Sequence, residues 1–321
     1  MDEIMIKYIS VILISLFSFM NSCEKNPVNN NQNLQGEERI LFIRTIGNKF
    51  NQICTMKPDG SDLEIVSEIE IGYNIGYQDA RWAPDKSKIV VVGGPESSPD
   101  IWPLWLMDID GNSVQKLCGN GISPIWKNSN EIIYKKPRGY TIDTKKDLYK
   151  INIEENNESL LFERSDTLSI SLTDINTLEE TAIGYFWSIS QNSLLAKFTI
   201  EDLNNYTILS YEDTYLGVKP KFSPYEERII FAIGIYHNND LYSLELLTNT
   251  VINITENPGE YHSLAWSPDG QKIAFSKENS SLSGEFKYTS DIFIFDLTAD
   301  TCINLSEIYS DSISSLIMDW K

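Results

Sequence analysis

Residues 264–276, Leu264-Ala-Trp-Ser-Pro-Asp-Gly-Gln-Lys-Ile-Ala-Phe-Ser276, read as strand, tight turn, strand. Ser267-Pro268-Asp269-Gly270 has the chemistry of a reversing turn: proline presets φ, aspartate tolerates a left-handed or self-bonded conformation, and glycine accepts a positive φ without cost. Lys272-Ile-Ala-Phe-Ser276 resumes as a short apolar strand. After a loop, Asp291-Ile-Phe-Ile-Phe-Asp296 alternates and is aromatic, as strands prefer. A second turn region, 297–300, leads into Thr301-Cys-Ile-Asn-Leu305. The unit is therefore four consecutive strands.

Weaker copies recur in the same order. Arg81-Trp-Ala-Pro-Asp85 precedes Lys88-Ile-Val-Val-Val92, then Asp100-Ile-Trp-Pro-Leu-Trp-Leu-Met107 and Val114-Gln-Lys-Leu117. Ile125-Trp126 precedes Glu131-Ile-Ile-Tyr134, Asp147-Leu-Tyr-Lys-Ile151 and Leu160-Leu-Phe162. Lys221-Phe-Ser-Pro224 precedes Arg228-Ile-Ile-Phe-Ala232, Asp240-Leu-Tyr-Ser-Leu244 and Val251-Ile-Asn-Ile-Thr255. A degenerate copy starts at Phe186-Trp187 and continues through Leu194-Leu-Ala-Lys-Phe198 to Thr207-Ile-Leu-Ser210. The aromatic anchors of the first strands are Trp82, Trp126, Trp187, Phe222, Trp266 and Trp320. Four-stranded blades repeat every ~40–50 residues, and Trp82 to Trp126 and Phe222 to Trp266 are each 44 apart. The irregular intervals flank residues 163–215.

The two ends complement each other. Arg39-Ile-Leu-Phe-Ile43, Ile53-Cys-Thr-Met56 and Leu63-Glu-Ile-Val66 supply a second, third and fourth strand with no first. Ser315-Leu-Ile-Met-Asp-Trp320 is a first strand with nothing after it. Joined, they complete a blade and close a ring, removing the open edges that invite aggregation. The expectation is an all-β, six-bladed β-propeller of four-stranded antiparallel blades over residues 38–321.

The Trp-Ser-Pro-Asp-Gly unit, with its following Lys-Ile-Ala-Phe and Asp-Ile-Phe-Ile-Phe-Asp, resembles the TolB-type β-propeller repeat over residues 39–321. The match is strongest at Trp266 and weaker at Trp82 and Phe222. Trp126 and Trp187 lack the Pro-Asp-Gly turn. The resemblance implies the propeller without the α/β domain that precedes it in TolB itself, since only residues 24–37 separate Cys23 from the first strand. Some related propellers are lyases with metal-binding histidines, and others are accessory domains of serine peptidases. This chain shows no hydrolase domain.

Ile9 to Met20 is an apolar run too short for a spanning helix, which needs ~20 residues. It fits the core of a signal peptide, residues 1–22. The run ends at Phe19-Met-Asn-Ser-Cys23, which resembles a bacterial lipoprotein cleavage site and makes Cys23 the expected lipid-bearing N-terminus. Residues 23–37, rich in Asn and Gln, read as a flexible tether. The expected location is the bacterial cell envelope, lipid-anchored to a membrane on its periplasmic or surface-facing side. A formal net charge of −20 repels phosphate backbones and anionic headgroups. Nucleic acid is not the expected partner on that ground, and the lipid is expected to do the anchoring. Beyond Cys23 there are three cysteines, Cys54, Cys118 and Cys302, an odd number that cannot fully pair. They are expected to be small buried apolar residues.

No metalloprotease, Cys-x-x-Cys, nucleophile-elbow or phosphate-loop motif is present. No catalytic residue, metal or cofactor is therefore expected. Of the two histidines, His237 falls in a loop, and His262 begins a first strand, where Asp79 and Asp319 at comparable positions are the conceivable co-ligands. The repeated aspartates Asp100, Asp147, Asp240 and Asp291 open third strands and suit one local bond per blade. Loops between second and third strands are long and share a face with the blade-to-blade loops, and long loops on a rigid scaffold are where binding sits. Lys135, Lys136, Arg138, Tyr140, Lys145 and Lys146, with Trp102 and Trp105, form the candidate binding face. Asp79, Arg81, Tyr185, Lys219, Tyr261 and His262 form the candidate channel mouth. The sequence points to a lipoprotein whose propeller is a non-enzymatic scaffold for a protein or peptide. The alternative is a carbohydrate- or polyanion-binding protein, or a lyase, acting at the channel mouth.

Overall fold

The computed structural model describes residues 37–47, 50–70, 77–94, 101–137, 146–176, 178–188, 191–209, 218–225, 227–235, 238–255, 259–278, 289–305 and 313–321. Residues 1–36, and with them the expected signal peptide, Cys23 and nearly all of the tether, lie outside this set, as do Asp100, Arg138, Tyr140, Lys145 and His237.

Among the described residues, twenty-four strands form six four-stranded antiparallel sheets. Blade one is β24 (Ile313–Trp320), β1 (Ile40–Ile46), β2 (Phe50–Met56) and β3 (Glu64–Glu70). Blade two is β4 (Tyr77–Trp82), β5 (Lys88–Gly93), β6 (Leu104–Asp108) and β7 (Val114–Cys118). Blade three runs β8 (Ile122–Trp126), β9 (Glu131–Pro137), β10 (Lys146–Asn152), β11 (Asn157–Phe162). Blade four runs β12 (Leu168–Asn176), β13 (Thr181–Ser188), β14 (Gln191–Thr199), β15 (Asp202–Ile208). Blade five runs β16 (Lys221–Phe222), β17 (Arg228–Ile235), β18 (Asn238–Glu245), β19 (Thr250–Asn253). Blade six runs β20 (Tyr261–Trp266), β21 (Lys272–Glu278), β22 (Ser290–Asp296), β23 (Thr301–Asn304). The ring closes where β24 pairs with β1 from Ile40↔Trp320 to Ile46↔Ile313, extended by Arg39 and Lys321 exchanging both backbone bonds at 2.7 and 3.0 Å.

The apolar core lies between blades. Side chains alternate across a strand, so Ile40 and Phe42 pack with Ala274, Ile292 and Ile294 of blade six, while Leu41 and Ile43 pack with Ala80, Ile89 and Val91 of blade two. Four further clusters fill the remaining interfaces in sequence order around the ring. A strand buried on both faces needs an uninterrupted apolar run. That explains Ile40-Leu-Phe-Ile43, Ile89-Val-Val-Val92 and Ile229-Ile-Phe-Ala232.

Two expectations need correcting. Trp187 is not a first-strand anchor: it lies on β13, the second strand of blade four, and pairs with Ser169 of β12. The first strand is β12, where Ile175 and not an aromatic takes the anchor position. Among the described cysteines, none is in a disulfide; Cys54 is buried and Cys118 half-buried, but Cys302 is exposed, because β23 is an outermost strand.

Turn chemistry follows the side chains. Asp269 accepts bonds from Ser267 Oγ at 2.5 Å and Gln271 N at 3.0 Å, and Gly270 takes φ +68°. The three third-strand aspartates within the described residues each bond at the outer end of their own blade. Asp147 accepts from Arg164 N at 2.8 Å, Asp240 from Thr255 Oγ1 at 2.8 Å, and Asp291 from Asn304 Nδ2 at 3.4 Å.

Candidate functional site

The first strands line the centre of the ring. Residues at their C-terminal ends, Trp82, Trp126, Ile175, Phe222, Trp266 and Trp320, surround a cavity of about 330 Å³. Pro84, Pro224 and Pro268 from the following turns also line it. It opens on the face of the short turns, opposite the long loops expected to bind. One residue deeper stand Arg81, Asp174, Lys221 and Asp319, two cations and two carboxylates.

These charges lace neighbouring blades. Asp319 Oδ2 of blade one accepts the Trp82 amide of blade two at 3.1 Å. Asp174 Oδ2 of blade four accepts the Phe222 amide of blade five at 2.9 Å, and its Oδ1 lies 3.6 Å from Lys221 Nζ. Tryptophan indoles tie other pairs: Trp126 Nε1 donates to Arg81 O at 3.0 Å and Trp266 Nε1 to Lys221 O at 3.3 Å. Arg81 Nη1 also donates to Met318 O of blade one. Burial pushes the Lys221 ammonium below the usual lysine range, helped by Arg81 and opposed by Asp174 and Asp319.

Farther in, buried Asp79 meets two cations. Its Oδ2 is 2.6 Å from Lys219 Nζ and its Oδ1 3.3 Å from Arg81 Nη2. Blades two and five are diametrically opposed in a ring of six, so the Asp79–Lys219 pair spans the channel. Burial raises the Asp79 carboxyl, but Arg81 and Lys219 outweigh it and hold the group below its ordinary range. Lys135 of β9 is half-buried, and burial, Lys219 and Lys146 push its ammonium down to about 7 against the pull of Asp79.

The candidate mouth residues thus separate. Asp79, Arg81 and Lys219 converge. Tyr185 is on β13, a second strand, and donates to Val218 O at 2.9 Å between blades four and five. Buried Tyr261 packs edge-on against Phe275, with Lys277 Nζ 5.1 Å from its ring centre. His262 Nε2 lies 3.9 Å from Glu260 Oε1 and 3.8 Å from Glu278 Oε2, so its neighbours are these glutamates and not Asp79 or Asp319.

On the candidate binding face, Lys136 pairs with Glu158 and sits 4.9 Å over the Tyr149 ring, inside its own blade. Lys146 opens β10 opposite Pro137. Trp102 and Trp105 are half-buried, and Lys116 Nζ lies 5.5 Å from the Trp105 ring centre. Both indole Nε1 atoms are buried without a hydrogen-bond partner.

Sequence reasoning missed Asp174, because β12 carries no anchor aromatic, and it missed Glu260 and Glu278. The last two had a signal: Glu260 is two residues before His262 on the same strand face, and Glu278 ends the next strand of the hairpin.

No family model matches this chain, and no curated protein sequence matches it. Solved structures do. TolB from Acinetobacter baumannii superposes with a TM-score of 0.70 at 12% identity, over 88% of this chain and 66% of that one. This chain thus spans about two thirds of the TolB length. A chain of the nidogen/laminin complex matches with a TM-score of 0.61 at 8% identity, over 88% of this chain and 97% of its own. A TolB-type structure from Agrobacterium tumefaciens matches with a TM-score of 0.57 at 12% identity, over 87% and 98%. At such identities the likeness establishes the TolB-like propeller fold.

Proposed function

We propose that this protein is a non-enzymatic docking scaffold of the bacterial cell envelope, lipid-anchored through Cys23, whose short-turn face receives a segment of a protein partner. One observation carries the reading. Leu178, Tyr225 and Leu247 are each more than three-quarters exposed. They sit in the β12–β13, β16–β17 and β18–β19 turns of two adjacent blades, all on the face into which the cavity opens. Single exposed apolar residues are ordinary; large ones gathered on one face beside a pocket mark a contact surface. The floor charges fit positioning more than chemistry, since Asp174 and Asp319 are engaged by backbone amides. The nidogen/laminin neighbour is itself known from a complex of two proteins.

The test is crosslinking and recovery from membranes of the source bacterium with the wild type, a Leu178→Asp/Tyr225→Asp/Leu247→Asp variant and a variant lacking residues 138–145, between β9 and β10. A discrete partner should be lost from the triple variant and kept by the loop deletion. Recovery by the triple variant at the wild-type level sinks the reading, and loss only from the loop deletion transfers docking to the opposite face. Cys23→Ala should release the chain from the membrane fraction.

Lys135 favours a second reading, in which the channel takes an acidic carbohydrate or another polyanion. Its ammonium stands near Lys219 and Lys146, with burial acting against its charge. Calorimetric titration with acidic oligosaccharides tests it; binding that Lys135→Met leaves unchanged counts against it.

A further inference from the structure

We propose that Glu260, His262 and Glu278 form a binding site for a divalent first-row transition cation on blade six, at the end opposite the cavity. The site is independent of the docking reading and lies where β20 begins and β21 ends.

Strand geometry builds it. Glu278 N donates to Glu260 O at 2.8 Å, so these two residues face each other across the hairpin. In an extended strand, residues two apart share a face, which sets His262 beside Glu260. The β20–β21 register slips between Tyr261 and Ser263, placing His262 in a bulge. Bulges re-aim side chains in this way. The adjacent Lys277 lies over the Tyr261 ring.

The spacing fits an ion. His262 Nε2 is 3.9 Å from Glu260 Oε1 and 3.8 Å from Glu278 Oε2, and one ligand atom from each residue lies within 4.8 Å of the other two. Around a tetrahedral ion with bonds of ~2.0–2.2 Å, donors stand roughly 3.3–3.6 Å apart. The two His–Glu separations need to contract by a few tenths of an ångström, and the Glu260–Glu278 separation, which is within 4.8 Å, by up to roughly 1.5 Å, to complete the site. This is the one His-containing ligand cluster among the described residues.

Burial separates the cluster from ordinary surface acid. The side chains of Glu260, Glu278 and His262 are 6%, 12% and 30% exposed. The carboxylates are held in place, and the more open imidazole side leaves room for water to fill remaining positions. The donor set selects the metal class. Mg²⁺ and Ca²⁺ take oxygen ligands, and Cu(I) takes sulfur, whereas one imidazole nitrogen with two carboxylates suits Zn²⁺, Mn²⁺ or Fe²⁺. The competing occupant is a proton, which would make an imidazolium held between the two glutamates.

Zn²⁺ is the probe. The full chain, purified in detergent and stripped with chelator, is titrated by calorimetry near neutral pH, with metal content measured after desalting. The expected result is one Zn²⁺ per chain, lost in His262→Ala and weakened at least about tenfold in Glu278→Gln, of the order seen when a metal site is disturbed. Cobalt substitution should give visible d–d absorption in the wild type alone. Absence of binding by the wild type at millimolar Zn²⁺ overturns the proposal, as does wild-type affinity in both variants. Should His262→Ala fail to fold, Glu278→Gln, which keeps the side-chain shape, decides alone.

Discussion

Asp79→Asn tests whether the ion pair across the channel holds opposite blades together. The substitution keeps the side-chain shape and removes one charge. It leaves Lys219, which loses its 2.6 Å partner, and buried Arg81, which loses a 3.3 Å partner but still donates to Met318 O. Removing one member of a buried pair costs about 3–5 kcal/mol. The Lys219 side chain is 38% exposed, so solvent screens its share. The net expectation is a loss of about 2–3 kcal/mol, read as a lower urea midpoint at unchanged slope. The pH dependence has a definite sign. The Asp79 carboxyl is held below its ordinary value by Arg81 and Lys219 despite burial. Its contribution is therefore complete above the unfolded aspartate value, about 3.9, and disappears as pH falls through the lower folded value. The gap between wild type and Asp79→Asn should be full near neutrality and close at acid pH. A Lys219→Met change in the Asp79→Asn background should cost less than in the wild type. A gap under about 0.5 kcal/mol, the range of ordinary surface substitutions, would refute the reasoning. So would a gap that stays constant while the wild type remains folded in acid.

Two other predictions concern single side chains. Ser267 Oγ bonds Asp269 and accepts the Lys272 amide at 2.8 Å, whereas the equivalent Ser223 Oγ is buried without a partner because Tyr225 replaces the aspartate. Ser267→Ala should cost about 1–2 kcal/mol in urea unfolding and Ser223→Ala less than about 0.5 kcal/mol; equal costs would contradict this. For Lys135, the folded pKa of about 7 is below the unfolded value, so its charge is destabilising in full below that pH, and the penalty fades as pH rises toward the unfolded lysine value. Lys135→Met should therefore stabilise more at mildly acid than at alkaline pH, measured by thermal melts at both, and a pH-independent effect would show that the lysine is not desolvated.

The ring was legible because its determinants are local. Ser267-Pro268-Asp269-Gly270 encodes one hairpin by turn chemistry, and two-sided burial writes second strands as unbroken runs such as Ile89-Val-Val-Val92. The closing β24–β1 pair was legible because each end lacked what the other supplied. Blade four resisted because Ile175 stands in the anchor position and the sequence of residues 176–180 has no Pro-Asp-Gly. Trp187 then drew the reading onto the wrong strand. The site was less legible for a different reason. Asp79 and Lys219 are recognisable as first-strand and near-first-strand residues, but their contact depends on two blades facing each other across the ring, a property of closure and not of either segment.

That contact also decides how the two ends of the propeller can be used. An ion pair drawn to 2.6 Å between opposed blades crosses the lumen below the Arg81–Asp174–Lys221–Asp319 floor. On the proposed reading, a partner segment entering from the short-turn face would meet that floor. The Glu260–His262–Glu278 cluster, at the other end of β20, is on the far side of the barrier. Removing the Asp79 charge should therefore weaken the barrier and leave the local hairpin geometry of the cluster intact, so Zn²⁺ affinity should be the same in Asp79→Asn as in the wild type. A shared loss would show that the two ends are coupled through the first strands.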